Sequence, residues 1–270
     1  MNPKRKKGQS FLKSQAIART IVDAANIQSG EAVLEIGGGL GILTSLLAQK
    51  AKIVFVIELE PGLAKALRDL LASNDNVEII EGDALQVSWP KADKIVSNLP
   101  YSAASAITFR LLQKEPFEEA ILMYQKEFAQ RLLATPGSSE YSRLSIDFQY
   151  LGNAEHIMDV DARNFYPTPE VNSSVLRVVH RKTGPFARSD EVFFWMIHGL
   201  FSYPNKQLRK ALGIWLKNIG QAHLTDTLLE GQRAVDGSVR LRDLSLEELV
   251  ILSDLLLDFI EKGILLDPRR

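Results

Sequence analysis

The 270-residue chain contains no cysteine, and this absence excludes disulfide bonds and thiolate metal ligands. No apolar run reaches the length of a membrane span, since polar residues interrupt even the run 249–260. The basic amino terminus is not followed by the apolar segment of a signal peptide. The histidines show no metal-ligand spacing, so we predict no metal site; they are His156, His180, His198 and His223. We therefore expect a cytoplasmic protein that has no membrane partner.

Positive and negative side chains nearly balance over the whole chain, but the positive ones are concentrated in two windows. The formal net charge is −1, yet residues 1–21 contain basic side chains and no acidic one. A second window without acidic residues runs from 201 to 217. Such patches can bind a phosphate backbone by counterion release, although a solvated tail and a solvated helix face give the same pattern. Our candidates for nucleic-acid contacts are Lys4, Arg5, Lys6, Lys7, Lys206, Arg209 and Lys210.

Short apolar runs alternate with helical periodicity in the first half of the chain. Strands are predicted at 32–36, 53–57, 77–80, 94–97 and 120–124, with helices at 15–25, 42–48, 61–71, 103–112 and 126–133. This alternation is typical of an α/β fold with a Rossmann-like, doubly wound sheet. Beyond a linker at 183–185 the spacing is helical. We predict an α/β domain over 1–184, in which 1–30 form a basic segment and a helix, and a smaller all-helical domain over 185–270.

Three glycines stand where the first of these strands turns into a helix, in the pattern G-x-G-x-G. They are Gly37, Gly39 and Gly41. Glycine lets the backbone approach a ligand closely and adopt positive φ. The spacing differs from the G-x-G-x-x-G fingerprint of dinucleotide-binding proteins. Such a turn binds a nucleotide-like ligand or merely packs the helix on the strand.

Carboxylates follow the glycines at successive strand ends. Glu58 ends the second strand, where it can accept hydrogen bonds from both ribose hydroxyls. Asp83 follows the third strand and can accept one from an adenine amino group. With Glu35 at the end of the first strand, these side chains predict an acidic pocket, and the glycine turn itself contains no Lys or Arg. Such a pocket suits the sulfonium cation of S-adenosylmethionine better than the pyrophosphate of a dinucleotide.

The tetrapeptide Asn98-Leu99-Pro100-Tyr101 follows the fourth predicted strand. Open α/β sheets bind ligands at the carboxyl ends of their strands. The Asn98 amide can accept a hydrogen bond from an adenine edge, and Tyr101 offers a flat face for stacking. Pro100 fixes φ and holds the neighbouring carbonyls rigidly. Although Asn and Pro are also common in ordinary turns, the tetrapeptide predicts a site that binds an exocyclic amine.

Further motifs stand in a fixed order along the chain. They are Gly8-Gln9-Ser10-Phe11-Leu12, the turn 35–41, Val56-Ile57-Glu58, Gly82-Asp83-Ala84, Gln125-Lys126-Glu127, and the segments 141–145, 165–173 and 206–210. Together with the Asn98 tetrapeptide, this set resembles the motifs of the ribosomal RNA adenine N6-dimethyltransferases. These are the KsgA family of small-subunit enzymes and their Erm relatives. The resemblance covers residues 8 to about 212.

The resemblance implies transfer of two methyl groups from S-adenosylmethionine to N6 of each of two adjacent adenosines in small-subunit rRNA, during ribosome biogenesis. The implied catalytic residues are Asn98, Leu99, Pro100, Tyr101 and Phe165. The implied cofactor contacts are Gln9, Ser10, Leu12, Glu35, Gly37, Gly39, Glu58, Asp83, Ala84 and Asn98. The implied partner is the rRNA of the pre-ribosomal small subunit, and we expect the protein to act as a monomer.

Three positions depart from the family pattern. Ser10 stands where Asn or His is common, Glu170 where a basic residue is frequent, and Gly38 where bacterial members commonly have Pro.

Rival hypotheses are an Erm-type large-subunit enzyme, methylation of DNA adenine or of a protein amide, and a non-catalytic factor for ribosome assembly or transcription. Leu99 and the segment 165–173 favour the small-subunit group. The intact set of Glu58, Asp83, Asn98 and Tyr101 disfavours a non-catalytic protein.

Overall fold

The computed structural model of the chain describes residues 10–230 and 235–268. The contacts expected of Gln9 and of the basic residues 4–7 lie outside the described residues. The chain forms two compact units, one made of residues 1–129 and 152–180, the other of 130–151 and 181–270. This grouping differs from the predicted division at 184/185 mainly in the segment 130–151, which belongs to the second compact unit.

The first unit contains a mostly parallel sheet. Its strands are β1 (Phe11–Leu12), β2 (Ala32–Ile36), β3 (Ile53–Glu58), β4 (Val77–Glu81), β5 (Lys94–Asn98), β6 (Glu119–Gln125), β7 (Gly152–Val160), β8 (Phe165–Tyr166) and β9 (Ser173–His180). The large sheet has the order β4-β3-β2-β5-β6-β9-β7, and β1 pairs separately with β8. Strands β2 to β6 are parallel, whereas β9 is antiparallel to both its neighbours. The predicted Rossmann-like sheet is therefore confirmed.

Helices alternate with these strands. They are α1 (Gln15–Ala24), α2 (Ile42–Leu47), α3 (Pro61–Leu70), α4 (Ala104–Lys114) and α5 (Lys126–Leu133), the last of which continues into the second unit. Local sequence explains where they begin, since the Ser14 side chain accepts a hydrogen bond from the Ile17 N–H and Pro61 occupies the first turn of α3. Each helix predicted in this part of the chain is present within a few residues of its expected ends.

The order of the strands locates the binding edge. Strand β2 pairs with β3 on one side and with β5 on the other, so the winding direction reverses between β2 and β5. In sheets of this type a crevice opens beyond the carboxyl ends of the strands at that reversal. Because β9 runs opposite to the parallel strands, its amino end lies at this same edge.

The second unit is helical. Its helices are α6 (Arg143–Leu151), α7 (Asp190–Leu200), α8 (Leu208–Asn218), α9 (Leu224–Glu230) and α10 (Leu246–Glu261). They enclose a core that includes Tyr150 stacked on Phe193, with ring centroids 4.1 Å apart. The predicted helical character of the carboxyl-terminal region is confirmed. Among the described helices, none combines the length and the apolar character needed to cross a bilayer.

Candidate functional site

The glycine turn joins β2 to α2 and makes close contacts. Gly37, Gly39 and Gly41 all have φ between +55° and +81°. A Cβ atom built on Gly39 would lie 3.0 Å from the Phe11 ring, so β1 rests against the turn. A Cβ on Gly37 would lie 3.7 Å from Pro100. The turn therefore brings the amino-terminal motif and the Asn98 tetrapeptide to one place.

The middle residue of the turn is also constrained to be glycine. A Cβ atom at Gly38 would lie 2.6 Å from Val56 and 2.9 Å from Leu67, both of which belong to the core of this unit. Real Cβ atoms do not approach other atoms this closely. The glycine that replaces the usual bacterial proline is therefore matched to the side chains packed beneath it.

The Glu58 carboxylate is held by two backbone N–H groups. Gly39 donates to Oε2 and Glu60 donates to Oε1, both at 3.0 Å. The side chain is buried, and each oxygen keeps a further lone pair. Glu58 thus ties the glycine turn to the end of β3 and remains able to accept hydrogen bonds from a diol.

Glu35 is the most perturbed carboxyl group at this edge. It is buried, and the Thr44 hydroxyl donates to its Oε2 at 2.6 Å. Burial raises the pKa of Glu35 from its ordinary value of 4.5 to about 8, the Thr44 hydrogen bond opposes this rise, and the nearby Glu58 charge adds to it. Glu35 therefore holds a proton at neutral pH in the free protein.

The loop after β4 carries Asp83 and Ala84. The Gly82 N–H donates to the Glu58 carbonyl at 2.9 Å, which places this loop beside the end of β3. Asp83 Oδ1 accepts a hydrogen bond from the Leu85 N–H at 2.8 Å. The buried Ala84 accepts hydrogen bonds at its carbonyl from Arg110 and Trp89.

The Asn98 tetrapeptide presents an oxygen without a donor. Asn98 Oδ1 is buried and accepts no hydrogen bond within the described residues. The next residue, Leu99, donates its N–H to Met123 at 3.3 Å. The Tyr101 hydroxyl lies 2.7 Å from the Ser173 hydroxyl at the start of β9. Burial raises the pKa of Tyr101, and the hydrogen bond with Ser173 opposes this rise.

A groove joins these features at the carboxyl edge of the sheet. The residues that line it are Phe11, Leu12, Glu35, Gly37, Gly38, Gly39, Leu40, Ile42, Leu43 and Asn98. Half of them were predicted as site residues. Glu58 reaches the groove through its bond to Gly39, and Asp83 and Ala84 flank the neighbouring strand end. No Lys or Arg is among the lining residues.

Other predicted residues lie apart from the groove lining. Ser10 immediately precedes β1. Phe165 is paired with Leu12 and is fully buried, so its ring has no face open to a base in this conformation, whereas the neighbouring Tyr166 is 67% exposed. The stacking role of Phe165 stays a prediction, and it requires the ring to become accessible.

The predicted basic cluster of the helical unit is on the surface. Lys206, Arg209 and Lys210 are all exposed. Arg209 forms an ion pair with Asp226. A contact of these residues with nucleic acid stays a prediction.

Sequence reasoning missed several residues that shape the site. Thr44 holds Glu35, Ser173 holds Tyr101, and Phe11 packs on the glycine turn. Phe11 and Ser173 belong to motifs that were noted, but nothing in their spacing assigns them these contacts. Trp89 and Arg110 belong to no motif, and only the fold brings them to Ala84.

Comparison with known sequences agrees with this geometry. A sequence profile of the family described as ribosomal RNA adenine dimethylase matches residues 1–253. A Methanosarcina mazei protein named probable ribosomal RNA small subunit methyltransferase A is 45% identical over 205 residues, which are 76% of this chain and 75% of that protein. A Methanococcus maripaludis protein of the same name is 37% identical over 264 residues, covering 96% of this chain and 100% of that protein.

Solved structures show the same similarity. A dimethyladenosine transferase from Plasmodium falciparum has a TM-score of 0.80 and 29% identity, covering 94% of this chain and 98% of its own. The 23S rRNA methyltransferase ErmE has a TM-score of 0.68 and 27% identity, covering 91% of this chain and 99% of its own. Because the family profile matches most of the chain and the relatives are similar over most of their length, the chain belongs to the ribosomal RNA adenine dimethylase family.

Proposed function

We propose that this protein uses S-adenosylmethionine to dimethylate N6 of two adjacent adenosines in small-subunit rRNA during ribosome biogenesis. The observation that carries the proposal is the buried Asn98 Oδ1 at the groove, which has no donor among the described residues. An unpaired buried acceptor costs roughly 1–3 kcal/mol, so such an atom needs a compensating role. The N–H of an exocyclic amine would supply the missing donor.

The residues of the groove fit the proposed methyl donor. The glycine turn lines the groove with backbone alone, and Glu58 keeps acceptors for ribose hydroxyls. The lining has one carboxyl group, that of Glu35, and no basic side chain, which favours a sulfonium ion over a pyrophosphate. When bound, S-adenosylmethionine supplies an electrophilic methyl group. The residues present therefore match the donor inferred from the sequence.

The role of the protein side chains follows from what they hold in place. Asn98 Oδ1 and the Leu99 carbonyl would accept hydrogen bonds from the adenine amine and stabilise the positive charge that develops on its nitrogen. The Tyr101 ring, anchored through Ser173, would stack on the base. The base must be unpaired or flipped out to reach this edge. No general base is required, because the amine becomes acidic as it gains the methyl group.

The choice of the small subunit rests on similarity. The named relatives are small-subunit methyltransferases, and the dimethyladenosine transferase has the higher TM-score of the two structures compared. An Erm-type activity on large-subunit rRNA is the alternative. We infer that the exposed Lys206 and Lys210 contact RNA phosphates, and that the enzyme works as a cytoplasmic monomer.

Two variants separate the roles of the strand ends. Asn98→Ala should leave the binding of S-adenosylmethionine largely intact and lower kcat by roughly 100-fold or more, as the loss of one preorganised partner does elsewhere. Glu58→Ala should weaken donor binding, measured by calorimetric titration. Each variant controls for the other. Normal turnover by Asn98→Ala would exclude the proposed catalytic role of this residue.

The acceptor is tested with labelled methyl groups. Undermethylated small and large ribosomal subunits are incubated separately with the protein and the labelled donor, and the modified nucleotides are mapped. We expect label on N6 of two adjacent adenosines of the small subunit. Label confined to the large subunit would support the Erm-type alternative, and no label on either would favour a non-catalytic factor.

A further inference from the structure

Two side chains, Arg110 on α4 and Trp89 later in the β4–β5 loop, hold a single backbone carbonyl in the loop after β4. Arg110 Nη1 donates to the Ala84 carbonyl at 2.7 Å, and Trp89 Nε1 donates to the same oxygen at 2.8 Å. The Arg110 guanidinium also lies 4.8 Å from the Trp89 ring centroid. Its Nε forms a 3.0 Å ion pair with Glu115, and both of these side chains are less than one fifth exposed. The donors are thus themselves fixed.

The held carbonyl belongs to a loop in which two further polar groups have no partner among the described residues. Asp83 Oδ1 is engaged by the Leu85 N–H, whereas Asp83 Oδ2 and the Ala84 N–H have no partner among the described residues. Asp83 Oδ2 and the Ala84 N–H belong to consecutive residues. The Ala84 carbonyl shares its peptide plane with the Leu85 N–H, which donates to Asp83 Oδ1, so holding this carbonyl also fixes the donor that orients the Asp83 carboxylate.

We propose that Arg110 and Trp89 are positioning residues that orient the Asp83–Ala84 loop to read the purine ring of the methyl donor. This inference rests on the proposed function. A carboxylate oxygen and an N–H side by side match the amino group and ring nitrogen N1 of adenine. Hypoxanthine presents the opposite pattern, a carbonyl oxygen and an N1–H. The two side chains would therefore control selectivity for adenine over hypoxanthine.

The test compares two neutral-sulfur ligands, S-adenosylhomocysteine and S-inosylhomocysteine, by calorimetric titration of the full-length protein. Trp89→Phe removes the indole N–H and keeps an aromatic ring beside Arg110. Arg110→Met removes the guanidinium and keeps an unbranched apolar stem. Arg68→Met is the matched control, because Arg68 on α3 also donates to a backbone carbonyl, that of Ile79 on β4, at 3.3 Å. Thermal unfolding of every variant is recorded.

We expect the adenine preference, the ratio of the two dissociation constants, to fall about three- to tenfold in Trp89→Phe and Arg110→Met, as the loss of one hydrogen bond allows. Arg68→Met should keep the wild-type ratio. If the wild type prefers S-adenosylhomocysteine and Trp89→Phe has the same ratio of dissociation constants, the positioning role is overturned and the proposed function still stands. If the wild type does not prefer S-adenosylhomocysteine, the donor site and this inference both fail.

Discussion

The raised pKa of Glu35 makes a prediction about how the donor binds. In the free protein Glu35 is buried and has a pKa of about 8, so it is protonated at pH 7. A sulfonium ion in the groove would favour the carboxylate. Binding of S-adenosylmethionine should therefore release a proton from Glu35. S-adenosylhomocysteine has an uncharged sulfur and otherwise similar groups, so its binding should release much less.

The size of the effect follows from the pKa shift. An opposite charge within about 4–6 Å lowers a carboxyl pKa by roughly 1–3 units. With a free pKa of about 8 and a bound pKa roughly 2 units lower, binding at pH 7 releases about 0.8 proton. The affinity for S-adenosylmethionine should then rise about 25-fold between pH 6 and pH 8. The affinity for S-adenosylhomocysteine should stay nearly constant over that range.

The assay is calorimetric titration at pH 7 in buffers with different ionisation enthalpies, since the dependence of the observed heat on buffer gives the number of protons released. Glu35→Gln is the variant to compare, because an amide can still accept the Thr44 hydrogen bond but cannot titrate. It should bind S-adenosylmethionine with no proton release from this site. Equal release by wild type and Glu35→Gln, or by the two ligands, would refute the reasoning.

The same group affects the stability of the ligand-free protein. The folded chain keeps a proton on Glu35 at pH values where the unfolded chain has lost it. The free energy of unfolding should therefore fall as pH rises from about 4.5 to about 8. Glu35→Gln should show a weaker decline over this window. A decline of the same size in both proteins, measured by denaturant titration, would show that other groups cause it.

Three further changes test packing and positioning. Lys94→Met removes a buried ammonium that bonds to the Ala25 carbonyl at 2.7 Å and to Glu119 at 2.9 Å, and it should cost about 3 kcal/mol of unfolding free energy in denaturant titration. Gly199→Ala would place a Cβ atom 2.1 Å from Nε1 of Trp215. It should lower the thermal midpoint, because this overpacking costs about 1–3 kcal/mol of unfolding free energy. Tyr101→Phe keeps the stacking ring but loses its 2.7 Å hydroxyl contact; we expect unchanged donor affinity and a several-fold lower single-turnover rate.

The part of the fold that sequence predicts well is the part with strong local patterns. The run 53–57 that forms most of β3 is continuously apolar, and in β2 only Glu35 interrupts the apolar residues, as expected of strands in a parallel sheet that is buried on both faces. Strand β7 (Gly152–Val160) was missed, since it is an edge strand paired with β9 alone and many of its side chains are exposed. The pattern of residues 141–150 fits a helix and a strand equally, and most of these residues lie in helix α6 (Arg143–Leu151) of the second unit.

The site could be predicted as a set of residues but not as a set of contacts. Strand ends identified Glu58 and Asn98, because polar residues after buried strands meet at one edge of a parallel sheet. That Asn98 Oδ1 lacks a donor depends on every neighbouring group. The fit of Gly38 against Val56 depends on packing between residues 18 positions apart. Such facts are properties of three-dimensional packing, which one-dimensional patterns do not contain.

The reversed direction of β9 brings two kinds of connection to one edge of the sheet. The loops that follow β2, β3 and β4 leave this edge after parallel strands and carry the donor contacts that we propose. The segment 161–172 instead leads into β9 and reaches the same edge from the opposite direction. Exchanges in this one segment would leave every parallel strand in place, so we expect the proposed acceptor to be altered more easily here than the proposed donor site.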